Sequence, residues 1–379
     1  MKKKTFRILL YITGFVLLVI VLMPTHYRRA IIHGHANIDD YRIFENRSVQ
    51  NAQTIPWQHD SLYNSPTINP AQMTVFDTFG TTAFVVIRNN KILYEQYWDG
   101  TSDTTRSNSF SAAKSIISIL IGCLTDEGKI KSLDQPITDF LPDFKNTNGF
   151  TLTIKDLLTM SSGIEWDEGY SSLFSPTTKA YYGNVLNEQI LGLKIGSEPG
   201  KIFNYQSCNT QLLAMIVAKA SGKPVSEYAS EKLWKPLGAE HPALWSLDQS
   251  GGVEKAYCCF NSTARDFARI GQMVLDSGQF NKQQIVSKAF LENALTPATQ
   301  LKDEAGDSCY YYGYQFWLMS HKGHKIAYAR GILGQYIFII PDLDAVVVRL
   351  GTDRSKGYLN HAPKDAYTYL DAAFEMLEK

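Results

Sequence analysis

Hydrophobic residues recur at helical spacing between residues 116 and 128. The apolar positions of this stretch are Ile117, Leu120, Ile121 and Leu124. Positions three and four apart lie on one face of a helix, and a glycine such as Gly128 is typical just beyond a helix end. The pattern therefore predicts a helix with one buried face, and Ser111 falls in its first turn.

Similar periodicity predicts helices over residues 154–160 and 208–220, a third helix ending at Gly278, and a final amphipathic helix over 363–377. Thr153 precedes the first of these, and Ser262 or Thr263 precedes the third. Hydroxyl side chains at such positions accept hydrogen bonds from unpaired amides at a helix N-terminus. The central part of the chain is therefore predicted to be mainly helical.

Runs typical of β-strands lie near both ends of the chain. Residues 83–88 and 92–98 flank Asn89-Asn90 and predict a hairpin, while residues 314–318, 325–329, 335–340 and 345–350 predict a meander. Strands from distant segments with helices between them are typical of an α+β fold. We expect an antiparallel sheet flanked by helices, an inserted all-helical lobe, and a site in the cleft between them.

The N-terminal segment combines positive charge with an apolar run. Three lysines and Arg7 precede an uncharged stretch of 16 residues, from Ile8 to Met23. A spanning helix needs about 20 apolar residues, and a signal peptide has a similar charged start. Because no small-x-small cleavage site follows, we predict an uncleaved signal-anchor over residues 1–25 rather than a cleaved signal. The chain would then be a single-pass protein of the bacterial inner membrane, with its body on the periplasmic side.

Residues 26–75 are polar and contain Pro56, Pro66 and Pro70, which predicts a tether and an irregular lead-in to a body over residues 76–379. Lysine plus arginine and aspartate plus glutamate number 37 each, and no basic stretch is interleaved with aromatic residues. The sequence thus offers no electrostatic footprint for nucleic acid. The five cysteines are scattered and include no C-x-x-C, so neither a disulfide framework nor a zinc site is expected, and the adjacent Cys258 and Cys259 are interpreted as structural.

Ser111 and Lys114 lie three residues apart at the start of the predicted helix, so their side chains emerge side by side. A serine hydroxyl becomes a good nucleophile when a base takes its proton. A lysine serves as that base when burial and the positive end of a helix lower its pKa from about 10.4. The pair is a candidate acyl-transfer centre.

A third proton-handling group is offered by Tyr205. It follows the turn at Pro199-Gly200 and comes directly before the predicted helix over 208–220. A phenol projecting from such a constrained loop is able to relay a proton to a leaving group. The chain contains 21 tyrosines, so packing is the default role for any one of them.

Four segments together resemble the serine β-lactamase-related hydrolases. They are Ser111-Ala112-Ala113-Lys114, residues 154–163, Pro199-Gly200 leading to Tyr205 and Ser207, and residues 331–336. The first is the S-x-x-K motif of such enzymes. The resemblance covers roughly residues 60–379 and is strongest to the branch of 6-aminohexanoate-oligomer hydrolases and carboxylesterases, within a group that also holds class C β-lactamases and D,D-peptidases.

This resemblance implies a β-lactamase/penicillin-binding-protein-like fold and a role for each matching residue. Ser111 would be the acylated nucleophile, Lys114 its general base and Tyr205 the proton relay. The amides of Ser111 and Ile332 would form the oxyanion hole. The implied substrate-binding residues are Ser207, Arg330, Gly331, Glu168 and Tyr170. No metal or organic cofactor is implied.

Two motifs depart from the β-lactamase pattern. Tyr205-Gln206-Ser207 stands where β-lactamases carry Y-x-N, and Ala329-Arg330-Gly331 stands where they carry K-T-G. The first form resembles the aminohexanoate hydrolase and esterase branch, and Arg330 is the candidate for the charge role of the missing lysine. We expect a membrane-anchored hydrolase of a small amide, an ester or a peptidoglycan-like peptide. The alternative is a catalytically silent module that binds cell-wall fragments.

Overall fold

The computed structural model describes residues 2–145, 147–170 and 172–378. Its α-helices are α1 Lys2–Leu22, α2 Thr25–His33, α3 Pro70–Thr78, α4 Ala113–Asp126, α5 Ile154–Leu158, α6 Pro176–Tyr182, α7 Leu186–Leu191, α8 Ser207–Ser221, α9 Val225–Ala229, α10 Ala264–Leu275, α11 Lys288–Ala294 and α12 Lys364–Leu377. Its strands are β1 Asn46–Val49, β2 Gln58–His59, β3 Thr81–Arg88, β4 Lys91–Tyr97, β5 Ser107–Asn108, β6 Ala243–Ser246, β7 Phe260–Ser262, β8 Gln279–Phe280, β9 Gln283–Gln284, β10 Trp317–His321, β11 His324–Gly331, β12 Gln335–Ile340, β13 Ala345–Gly351, β14 Tyr358–Leu359 and β15 Ala362–Pro363.

A seven-stranded sheet with the order β10-β11-β12-β13-β3-β4-β2 forms the centre of the body. Its neighbouring strands are antiparallel, except that the short edge strand β2 runs parallel to β4. The pairing of β13 with β3 joins the late meander to the early hairpin. The expected α+β architecture with strands from distant segments is therefore present.

The two faces of this sheet bury alternate residues of the same strands. Val85 and Val348 lie in the core shared with α4, α8 and α10, whereas Phe84 and Val347 lie in a second core shared with α3 and α12. Side chains alternate between the faces of a strand, so a strand covered on both sides is apolar throughout. This explains the unbroken apolar run over residues 345–348.

The predicted helices are present with small shifts at their ends. Thr153 and Thr263 each accept a hydrogen bond from an amide in the first turn of the helix they precede, and Thr153 forms a reciprocal capping box with Asp156. Asn89 and Asn90 have φ of +51° and +57°, the left-handed conformation of a tight hairpin turn. The lobe is not all-helical, because β5, β6 and β7 within it join β1 in a four-stranded sheet.

Two further expectations differ from the structure. Residues 26–75 are not a free tether, because β1 pairs with β6 and the side chains of Ala30, Phe44 and Val49 are buried in the core. The first strand of the meander begins at Trp317 instead of residue 314. Gln315 has φ of +61°, which interrupts an extended strand, and its buried side chain amide donates to the Leu157 and Leu158 carbonyls.

Helix α1 has exposed apolar side chains, among them Phe6, Leu9, Phe15 and Leu22. Among the described residues, no single helix combines the length and hydropathy needed to cross a membrane. The segments Lys4–Ile20 and Thr25–His33 meet that criterion only as a pair, with a bend of 117° between them. The expectation of one N-terminal spanning helix is therefore not supported.

Candidate active site

Ser111 lies in a 3₁₀ turn, Phe110–Ala112, directly before α4. The preceding residue, Phe110, is buried and has φ of +45°, a conformation that is strained for a bulky residue and typical of functional sites. Its amide donates to Asn108 Oδ1 at 2.9 Å, and the Ser109 amide donates to the Phe260 carbonyl at 2.8 Å. These bonds hold the turn against β5 and β7, so the position of Ser111 is fixed by the fold.

Lys114 lies in the first turn of α4 and is only 1% exposed. Its Nζ is 3.0 Å from Ser111 Oγ, 3.0 Å from Ser207 Oγ and 2.8 Å from the Tyr257 carbonyl oxygen. Burial disfavours the ammonium form and lowers the pKa of Lys114 to about 8, although the nearby Glu168 acts in the opposite direction. A useful fraction of this amine is therefore neutral near physiological pH, as a general base requires.

Tyr205 lies on the loop before α8, next to the Ser111–Lys114 pair. Lys114 Nζ is 5.3 Å from the centre of its ring, and the ring packs 5.2 Å from that of Trp317. Burial raises the pKa of the Tyr205 phenol, and a hydrogen bond with Ser111 acts in the opposite direction. The phenol is thus protonated at neutral pH and close to the nucleophile, where it is able to donate a proton.

The backbone of Ile332 follows β11 and lines the same cavity as Ser111. Within the described chain, neither the Ser111 nor the Ile332 amide donates to a protein acceptor. The close approach of β11 to the nucleophile turn depends on Gly331, because a Cβ at this residue would lie 2.2 Å from the Ser109 carbonyl oxygen. Two free amides at this point suit an oxyanion.

We expect Gly331→Ala to lower kcat for ester hydrolysis by about 100-fold, since the new methyl group must push β11 away from Ser109 and move the Ile332 amide. Steady-state kinetics with a p-nitrophenyl ester measure this loss. Gly192→Ala is the matched control, because the nearest atom to its new Cβ is the Glu188 carbonyl oxygen at 3.3 Å. An unchanged kcat in Gly331→Ala would contradict the assignment of Ile332.

Ser207 begins α8 and is buried beside Lys114. Its amide donates to Glu168 Oε2 at 2.7 Å, and its hydroxyl donates to Glu168 Oε1. The same carboxylate accepts from Trp166 Nε1 at 2.7 Å and from the Tyr170 hydroxyl. Tyr170 lines the cavity. The Glu168 carboxylate is not part of the cavity lining, and its oxygens accept hydrogen bonds from these protein donors.

Arg330 occupies a different place from the other candidates. Its guanidinium lies 3.3 Å above the ring of Trp317, and Nη1 donates to the His361 carbonyl at 2.9 Å. It lines a second cavity of about 530 Å³ shared with Tyr310 and Tyr311. The sequence predicts Arg330 near the nucleophile. In the structure, the Trp317 ring packs against both the Arg330 guanidinium and the Tyr205 ring.

The main cavity has a volume of about 630 Å³ and is lined by Ser111, Tyr170, Ser207 and Ile332 among others. Sequence reasoning missed two parts of its wall. Residues 34–36, which it assigned to a tether, form one part, and Arg354 contributes to another. No local pattern signals either contribution, because both depend on chain segments that meet only in the folded protein.

Cys258 and Cys259, which are interpreted as structural from the sequence, form a disulfide between adjacent residues. The bond directly follows Tyr257, whose carbonyl oxygen accepts from Lys114, and Cys258 lines the main cavity. The adjacency of the two cysteines was the available signal. Among the described residues, no group of three or more histidine, cysteine, aspartate or glutamate side chains is arranged to hold a metal ion.

Comparison with known proteins identifies relatives over most of the chain. The model of the Beta-lactamase family matches residues 74–368. The 6-aminohexanoate-dimer hydrolase of Paenarthrobacter ureafaciens is 29% identical over 287 residues, which is 72% of each chain. A provisionally assigned 6-aminohexanoate-dimer hydrolase from Bacillus anthracis has a structure that superposes with a TM-score of 0.76 at 23% identity, covering 90% of this chain and 92% of that one. The superposition on the Bacillus anthracis structure establishes the fold.

Proposed function

The chain belongs to the beta-lactamase family and is a serine hydrolase, and from this premise we propose that it cleaves a small amide or ester through an acyl-enzyme on Ser111. The observation that carries the proposal is the buried Lys114 amine, 3.0 Å from Ser111 Oγ, with a pKa lowered to about 8. A neutral base in contact with a hydroxyl is the arrangement that activates a serine.

In the proposed reaction, Lys114 takes the Ser111 proton as Oγ attacks the substrate carbonyl. The Ser111 and Ile332 amides stabilise the resulting oxyanion, and such a donor typically contributes about 3 kcal/mol. Tyr205 relays a proton to the departing amine or alcohol, and water then hydrolyses the acyl-enzyme. Each proton is returned by the end of the cycle, so these residues suffice for the hydrolysis.

The cavity and the relatives support a proposal for the substrate class. A volume of about 630 Å³ suits a small molecule or a short peptide. One relative is named for hydrolysis of a 6-aminohexanoate dimer. We therefore favour a small amide or an ester, with a peptidoglycan-like peptide as the second possibility.

The proposal predicts that a fluorophosphonate adds one adduct to the wild-type protein and none to Ser111→Ala, as measured by intact mass.

It also predicts that kcat/KM for a p-nitrophenyl ester rises with pH through about 8, because the neutral form of Lys114 is the active one. A protein that stays unlabelled and cleaves no ester, yet binds cell-wall peptides, would instead be a silent binding module.

We also propose that α1 attaches the chain to a membrane with the body on the extracytoplasmic side. The basic start of α1 and its exposed apolar side chains support attachment, and disulfides such as Cys258–Cys259 persist mainly in oxidising compartments. We expect the full chain to sediment with membranes and a chain lacking residues 2–24 to be soluble. Equal partition of the two forms would contradict this proposal.

A further inference from the structure

The Ser207 hydroxyl bridges Lys114 and Glu168. Lys114 Nζ lies 3.0 Å from Ser207 Oγ, and the hydroxyl proton is donated to Glu168 Oε1. A hydroxyl has one proton to donate. Once that proton points to the carboxylate, Ser207 is able only to accept from Lys114.

Among the described residues, the four groups that hydrogen-bond to the Glu168 carboxylate are all donors. They are the amide and hydroxyl of Ser207, the indole of Trp166 and the phenol of Tyr170. An ionised carboxylate only accepts hydrogen bonds, so this set of partners fits the charged form. The direction of the Ser207 hydroxyl is therefore fixed by Glu168.

That direction decides where the neutral Lys114 amine aims its lone pair. A neutral amine has two N–H donors and one lone pair. The Tyr257 carbonyl oxygen, 2.8 Å away, accepts one N–H, and Ser207 Oγ accepts the other. The lone pair is left to face Ser111 Oγ at 3.0 Å, and the hydroxyl proton on that oxygen is the one that Lys114 must take.

From this count of donors and acceptors, we infer that Glu168 is a positioning residue for the proposed reaction, which holds Ser207 as an acceptor and so directs the lone pair of Lys114 at Ser111. Without Glu168, the Ser207 hydroxyl is free to donate to Lys114 Nζ. It then competes with Ser111 for the lone pair. A base aimed by a third group is the logic of catalytic triads on unrelated folds.

Glu168 also affects the charge of Lys114, because its negative charge raises the pKa of the amine that burial lowers. In the described part of the chain, the other titratable groups that face the amine are Cys208 on α8 and the phenols of Tyr205 and Tyr257. Burial raises the pKa of all three, so they stay neutral over the assay range. Removal of the Glu168 charge therefore lowers the pKa of Lys114.

The inference rests on the proposed function and is tested by Glu168→Gln. We expect its plateau kcat for a p-nitrophenyl ester to fall by about tenfold or more, its KM to stay within about twofold, and the acid limb of kcat/KM to move to lower pH. Glu165→Gln, at an exposed glutamate on the same loop, is the matched control. A raised KM with an unmoved pH profile would assign Glu168 to substrate binding and overturn the inference.

Ser207→Ala breaks the bridge while leaving the Glu168 charge in place, and it serves where Glu168→Gln folds poorly. We expect a comparable loss in kcat, without the downward shift of the acid limb, and a double variant no slower than the worse single variant. Wild-type kcat in Ser207→Ala, or multiplying losses in the double variant, would overturn the inference. Ester hydrolysis by Ser111→Ala would instead overturn the proposed function itself.

Discussion

Lys114→Met is expected to lower kcat/KM for a p-nitrophenyl ester by about 10²- to 10⁴-fold, since general-base catalysis contributes about that much when the base is in contact with the proton that it takes. Methionine fills a similar volume but has no proton acceptor of use here. It also leaves Ser207 Oγ and the Tyr257 carbonyl without their donor. Stopped-flow labelling by a fluorophosphonate measures the same loss at the acylation step.

Lys255→Met is a demanding control because Lys255 is also a fully buried lysine. Its Nζ lies 3.3 Å from the centre of the Phe44 ring, and it has no hydrogen-bond partner among the described residues. The same substitution at the same burial is therefore expected to leave kcat/KM within about threefold. Equal losses of kcat/KM in the two variants would mean that removal of any buried amine perturbs the fold. Such a result would contradict the role of Lys114 as the general base.

Arg349→Met is expected to lower the free energy of unfolding by about 3–5 kcal/mol, because several carbonyl oxygens lose their donor and an unsatisfied buried acceptor costs about 1–3 kcal/mol. Arg349 is 0% exposed. Its guanidinium donates to the carbonyl oxygens of Phe79, Leu333, Gly334 and Asp353 at 2.6–3.0 Å. Removal of the guanidinium takes a donor from the Leu333, Gly334 and Asp353 carbonyls, and each lost hydrogen bond costs free energy, whereas the Phe79 carbonyl keeps the Asp353 amide as a donor.

Loss of Arg349 is also expected to reduce kcat, because two of these carbonyls lie in the turn of Ile332 that supplies the proposed oxyanion amide. Leu333 has φ of +60° in this turn, a conformation that needs support from its surroundings. Chemical denaturation and ester kinetics measure the two effects. Arg88→Met removes an ion pair of 2.9 Å with Asp60 at the end of the neighbouring β3 and should cost about 1 kcal/mol. Similar losses in the two variants would contradict the structural role of Arg349.

Hydrophobic periodicity predicted elements well wherever the local chain carried the whole signal. The helix predicted over residues 208–220 is Ser207–Ser221, and the hairpin around Asn89-Asn90 is present. The prediction was wrong where contacts between distant segments determined the backbone conformation. Gln315 takes a left-handed backbone in order to bury its amide against α5, which displaced the start of β10.

The candidate site shows the same division. The three-residue spacing of Ser111 and Lys114 predicted their contact, because one helical turn brings such side chains together. The Tyr257 carbonyl, which accepts a hydrogen bond from the amine, lies 143 residues from Lys114 along the chain. No periodic pattern specifies which distant carbonyl packs against a helix, and neither the disulfide beside Tyr257 nor the wall at residues 34–36 was foreseen.

The sequence by itself therefore determined the family, the principal strands and helices, and the pairing of a serine with a lysine. Only the tertiary structure decided the pKa of that lysine and the direction of its lone pair. Burial by segments distant in the chain lowers its pKa to about 8, and acceptors from two other segments direct its lone pair. The reason is physical: a pKa depends on solvent exclusion and on nearby charge, and both are properties of packing in three dimensions.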